Sequence, residues 1–153
     1  MSVEIKAIKK WFEKAKPNPT IEDVSVQIGC HYEEVAEMAA VTGDGLLMDK
    51  ATQAGNEYKS KSEAYVSDLM FLEGDFDTHS RRELLDALCD QIVTAIGVAH
   101  MLEMDIEGAL NEVNNSNWSK FEDGEPVFKE NGKIAKGKYY FEPELINFVQ
   151  VKE

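Results

Sequence analysis

The sequence predicts an all-α protein: a bundle of four to five helices followed by an irregular C-terminal loop or hairpin segment. Three observations carry that reading. Apolar residues recur at helical spacing from Ile5 to about Ser116, proline and glycine punctuate the chain between those stretches, and the helical spacing stops between Asn117 and Pro143.

Each element has its own signals. Ile5, Ile8, Trp11 and Phe12 recur on one face of a first helix that Pro17 and Pro19 end. Thr20, with Asp23 three residues on, predicts the N-cap of a second helix that runs to about Thr42, where Gly43 and Gly45 stop it. Residues 46–72 read as helical but weakly patterned, and Gly74 with the DFDTHS stretch marks the next break. Ser80, with Glu83 in the capping-box position, is expected to start a long helix reaching about Glu103. Asp105 caps a short helix through about Ser116. Beyond it, Asn131-Gly132 predicts a turn between Val127-Phe128 and Ile134.

Composition narrows the function. The chain has 153 residues and a formal net charge of −13, so one domain spanning 1–153 is expected, with its core at about 20–116. The charge is uneven: residues 21–116 hold five basic against twenty acidic side chains, whereas residues 117–141 hold five lysines against four acids. Phosphate backbones and anionic lipid are bound through Lys and Arg, so neither nucleic acid nor a membrane surface is the expected partner. The N-terminus lacks the apolar core of a signal peptide, and the longest nearly unbroken apolar stretch, Ile92 to Leu102, is about half of the ~20 residues that cross a bilayer. A cytoplasmic protein is expected. Cys30 and Cys89 lack the spacing of a disulfide framework or zinc site and read as small buried residues.

The long helix is the most informative segment. From Glu83 to Leu102 its only formally charged residues are Glu83, Asp86 and Asp90, which share an arc of about 60°. Leu84, Leu85, Leu88, Ile92, Ile96 and Val98 cover most of the remaining wheel, the pattern of a helix buried on nearly all sides. A carboxylate there must be paired, protonated or bound to a cation. Arg82, four residues before Asp86, is one candidate partner. The second helix adds Glu33, Glu34 and Glu37 in the run HYEEVAEM, with no Lys or Arg four residues before or after any of them. Alone this cluster reads as a solvated face. Two such helices face to face would offer hard oxygen ligands for Mg2+, with Mn2+ as a substitute, and would hold polyphosphate through the metal.

These residues resemble the all-α nucleoside triphosphate pyrophosphohydrolases, the MazG-like superfamily that also includes phosphoribosyl-ATP pyrophosphohydrolase and dimeric dUTPases. Glu33-Glu34-Val35-Ala36-Glu37 fills the family's EExxE pattern and Glu83-Leu84-Leu85-Asp86 its ExxD pattern. The tail stretches EVNNSNWSKF and NGKIAKGKYYFEPEL are similar to the SNxSK and DGKxxKGxNYxPPDL segments of phage and bacterial MazG-like proteins, so the resemblance covers about residues 20–146. It implies cleavage of the α–β phosphoanhydride of a nucleoside triphosphate to the monophosphate and pyrophosphate. It also implies Glu34, Glu37, Glu83 and Asp86 as magnesium ligands, Asp90 as a further ligand or supporting group, and Glu33 as a further ligand or the base that orients water. Asn114, Asn117 and Lys120 match an NxxNxxK run and Lys136 and Tyr140 a KGxxY run, which makes 117–146 a nucleotide-contacting tail. Assembly as a homodimer or homotetramer is implied as well. Two departures stand out: 45 residues separate Glu37 from Glu83, and Tyr139 replaces an expected Asn.

A non-catalytic acidic interaction or metal-binding protein is the alternative, and it leaves the acid stripe of the long helix unexplained. A di-iron bundle needs Glu-x-x-His pairs, which His31, His79 and His100 do not supply. An EF-hand starting at Asp75 fails at Ser80 and Asp86. Lys129, Lys133 and Lys138 around the Asn-Gly turn read as solubilising charges, and His100 and Trp118 as packed residues.

Overall fold

A computed structural model of the chain describes residues 5–69 and 78–149. Among them the fold is all-α, with α1 (Ile5–Ala15), α2 (Ile21–Thr42), α3 (Gly45–Lys59), α4 (Glu63–Leu69), α5 (Thr78–Met101), α6 (Ile106–Trp118) and a 3-10 turn at Leu145–Phe148. The described residues contain no strand, only isolated bridge residues at Glu122, Glu125, Phe128 and Ile134. The break expected at Gly74 and the start of the rejected EF-hand at Asp75 lie outside the described residues.

Contacts divide the chain into two compact units, one formed by residues 18–78 with 128–133, the other by 1–17, 79–127 and 134–153. In the first, α2 starts as its sequence requires. Thr20 accepts from the Asp23 amide while the Asp23 carboxylate accepts from the Thr20 amide, and Gly43 ends the helix at φ 84°, a left-handed conformation open to glycine. Helices α2 and α3 cross at Gly29 and Gly55. A methyl group at Gly29 would lie 2.6 Å from the Gly55 carbonyl oxygen and 2.9 Å from the Lys59 nitrogen, so only glycine permits that approach. Ser25, fully buried, donates to the Tyr58 carbonyl at 2.8 Å, and Tyr58 stacks on Tyr32 and meets Tyr65 edge-on. The Asn131-Gly132 turn also belongs to this unit. The Lys129 amide donates to the Lys133 carbonyl, and Asn131 Oδ1 accepts from the Lys133 amide.

The second unit is built around α1 and α6. Trp11 stacks on Phe121 with ring centroids 5.6 Å apart and donates its indole N–H to the Asn117 carbonyl at 2.9 Å, with Ala15 and Ile134 completing the cluster. The tail wraps α6 through Ser116 to the Phe141 carbonyl, Gly137 to the Lys120 carbonyl and Asp105 to the Phe148 carbonyl. The hairpin expected here is a turn with backbone bonds, including Ala135 to Val127 at 2.7 Å, and no ladder extends it.

Several expectations about α5 are corrected. The described part of the helix already includes Thr78, so Ser80 lies within the helix rather than capping it. Arg82 bonds Glu83 at 2.9 Å rather than reaching Asp86. Burial on nearly all sides does not occur: Leu85 is 63% exposed, Val93 65% and Met101 83%, and Ala99 alone on the helix is buried. Among the described residues α5 makes no extended contact with α1 or α6, which leaves its apolar surface to water within one copy of the chain. Its length and mean hydropathy of 1.3 also meet the requirement for crossing a membrane, which the Ile92–Leu102 stretch alone did not. Cys89 and His100 are exposed rather than packed, whereas Trp118, 39% exposed, packs its ring edge-on against Phe121.

Candidate functional site

The α2–α3 crossing generates the most developed site in the first unit. Glu33 follows Gly29 by four residues and Lys59 follows Gly55 by four, so each lies one helical turn beyond the contact point. The crossing therefore sets Lys59 against Glu33. Lys59 Nζ lies 3.2 Å from Glu33 Oε1, and Lys133 Nζ, from the Asn-Gly turn, lies 2.6 Å from Glu33 Oε2. The Lys59 side chain is only 16% exposed, less than either of its partners in the triad.

Beside the triad opens a groove of about 270 Å³ between α2 and α3, lined by Glu33, Ala36, Glu37 and Ala40 of α2 and by Met48, Thr52, Gly55, Asn56 and Lys59 of α3. The small residues among them keep the two helices close, and the polar ones offer carboxylate, amide, hydroxyl and ammonium groups together.

Electrostatics follow the geometry. The hydrogen bond from Lys133, with that from Lys59, holds the Glu33 carboxyl below its ordinary range against the opposing effect of burial. Burial is the largest single influence on Lys133 and works against its charge, but the bond to Glu33 together with the charges of Cys30, Glu33 and Glu34 outweighs it and its pKa rises. Burial pushes the Cys30 thiol up, with Lys133 acting in the opposite direction. Both oxygens of Glu33 are thus engaged by cations, which favours its ionised form.

Other candidates fall in two places. Glu34 and Glu37 are exposed on α2, Glu37 lining the groove. Glu83, Asp86 and Asp90 are exposed on α5, in the second unit, and Glu83 is held by Arg82 and His79. Among the described residues no three His, Cys, Asp or Glu side chains group around one point. Magnesium, which the family resemblance implies, finds oxygen donors of a suitable kind in Glu34 and Glu37, one turn apart on α2.

The tail candidates share the second unit. Asn114 is buried, the Asn117 carbonyl takes the Trp11 indole, and Lys120 Nζ sits 5.9 Å from the Trp11 ring. Lys136 and Tyr140 are brought together, with the ammonium 4.5 Å from the ring centroid, and Lys136 also approaches Glu142 at 3.9 Å. The sequence alone points to neither Lys59 nor Lys133 as a site residue, and Lys133 reads there as a solubilising charge. The available signal was the matched four-residue offset from Gly29 to Glu33 and from Gly55 to Lys59.

Compared with protein-family models, with curated proteins and with solved structures, the chain matches none.

Proposed function

We propose that the chain is a magnesium-dependent nucleoside triphosphate pyrophosphohydrolase that admits water to the α–β anhydride and releases the monophosphate and pyrophosphate. The supporting observation is the α2–α3 groove, which Glu33 and Glu37 of the EExxE run line together with Lys59. A polyphosphate with its cation carries both signs of charge, and this lining offers a complement to both. Glu34 and Glu37 of α2 would hold the metal, and the family resemblance implies Glu83, Asp86 and Asp90 of α5 as further ligands. When bound, magnesium would neutralise phosphate charge and lower the pKa of a water. Asn114, Asn117, Lys120, Lys136 and Tyr140 would contact base, sugar and phosphate, the Tyr140 ring offering a stacking face. The setting proposed is cytoplasmic clearance of an unwanted nucleotide, in a host or a phage.

Self-association belongs to this reading. The apolar surface of α5 is covered by a second copy of the chain, as a homodimer or within a homotetramer. A bilayer span is disfavoured by Glu83, Asp86 and Asp90, since an Asp at the centre of a spanning helix costs about 3 kcal/mol. The exposure of α5 also favours a second reading, a non-catalytic interaction protein. A panel of ribo-, deoxy- and modified triphosphates incubated with Mg2+ separates the two. Pyrophosphate from at least one substrate is the expected product, and a panel left intact supports the interaction protein.

A further inference from the structure

The geometry points to Lys59 and Lys133 as a binding site for a phosphoryl group of a di- or triphosphate, with Glu33 as the carboxylate that occupies the site until that group arrives. The inference takes from the proposed function only the natural ligand's identity.

Two ammonium groups from separate elements, α3 and the 128–133 turn, converge on the two oxygens of one carboxylate, at 3.2 Å and 2.6 Å. A phosphoryl group presents the same feature, anionic oxygens on a single atom, with more charge. Neither lysine is held at random. The Lys59 stem lies over Gly29 where the helices touch, and Lys133 is fixed by the Asn131 side chain and the Lys129 backbone. Lys59 and Glu33 line a groove of about 270 Å³, so a ligand reaches Lys59 without parting the helices. Lys120 and Lys136, the lysines the family pattern nominates, lie instead over the Trp11 and Tyr140 rings.

Inorganic tripolyphosphate is the probe, titrated calorimetrically into the full chain in magnesium-free, low-salt buffer and again with Mg2+. Glu33→Gln vacates the site and should strengthen metal-free binding about tenfold, whereas Lys59→Gln and Lys133→Gln should each weaken binding about tenfold in both buffers. The gain from Glu33→Gln should vanish in the Glu33→Gln/Lys133→Gln double variant, which separates a vacated site from a mere change in net charge. Glutamine keeps the stem of Lys59 packed on Gly29, and Lys133 sits on a turn, so both lysine variants should retain the wild-type circular dichroism spectrum. Weaker or unchanged binding in Glu33→Gln, or unchanged binding in the lysine variants, overturns the inference. If the panel shows no turnover but tripolyphosphate follows this pattern, the lysine site stands and the hydrolase reading falls. If nucleotide is hydrolysed with KM unchanged in both lysine variants, the reverse holds.

Discussion

Gly29 shows how one residue fixes a site. Its missing side chain lets α2 touch α3, and the helical repeat then delivers Glu33 to Lys59 one turn on. Gly29→Ala should therefore cost about 1–3 kcal/mol, because the added methyl meets backbone that cannot swing aside. Denaturant unfolding checks this, and a variant as stable as the parent would mean the helices do not touch there. Glu33 supplies a second test. Its folded-state pKa lies below the ordinary 4.5, so the triad's contribution is present above the ordinary carboxylate range and is lost as pH falls through the depressed value. The melting temperature of the parent minus that of Glu33→Gln should shrink on acidification below pH 4.5 and stay level above it. A difference that grows on acidification would contradict the ion triad.

At the scale of elements, the helices follow rules that act within a few residues, and those were legible. Thr20 with Asp23, Gly43, and Asp105 mark the helix ends where the sequence places them. Thr20→Ala should lower stability by about 1 kcal/mol, measured by thermal unfolding. What the sequence hid depends on distance along the chain. Lys133 is 100 residues from Glu33, and no local pattern links a lysine beside an Asn-Gly turn to a glutamate on a helix. The environment of α5 was hidden for a related reason. Its composition records that apolar surface must be buried, not what buries it. Leu85, Leu88, Ile92, Ala95, Ala99 and Leu102 fall at alternating three- and four-residue steps, on the side of the helix about half a turn from Glu83, Asp86 and Asp90. A second copy packed on that seam leaves the acids clear. Leu88→Lys with Ile92→Lys should then shift sedimentation toward the monomer while the far-ultraviolet spectrum keeps its helical signature.

For the molecule as a whole, the net charge of −13 and the proposed substrate have the same sign, so encounter with a polyphosphate depends on local cations. Bound magnesium would supply one source and Lys59 with Lys133 the other. Under the proposed function, this division would let an acidic chain take an anionic substrate. The most direct measurement is phosphorus-31 product analysis of the full chain with Mg2+ and a triphosphate the panel identifies, run beside Glu37→Gln and Asp86→Asn. The account predicts monophosphate and pyrophosphate from the parent and no turnover from either variant, with helical content retained in both. Orthophosphate as the product, or undiminished activity in both variants, would contradict it.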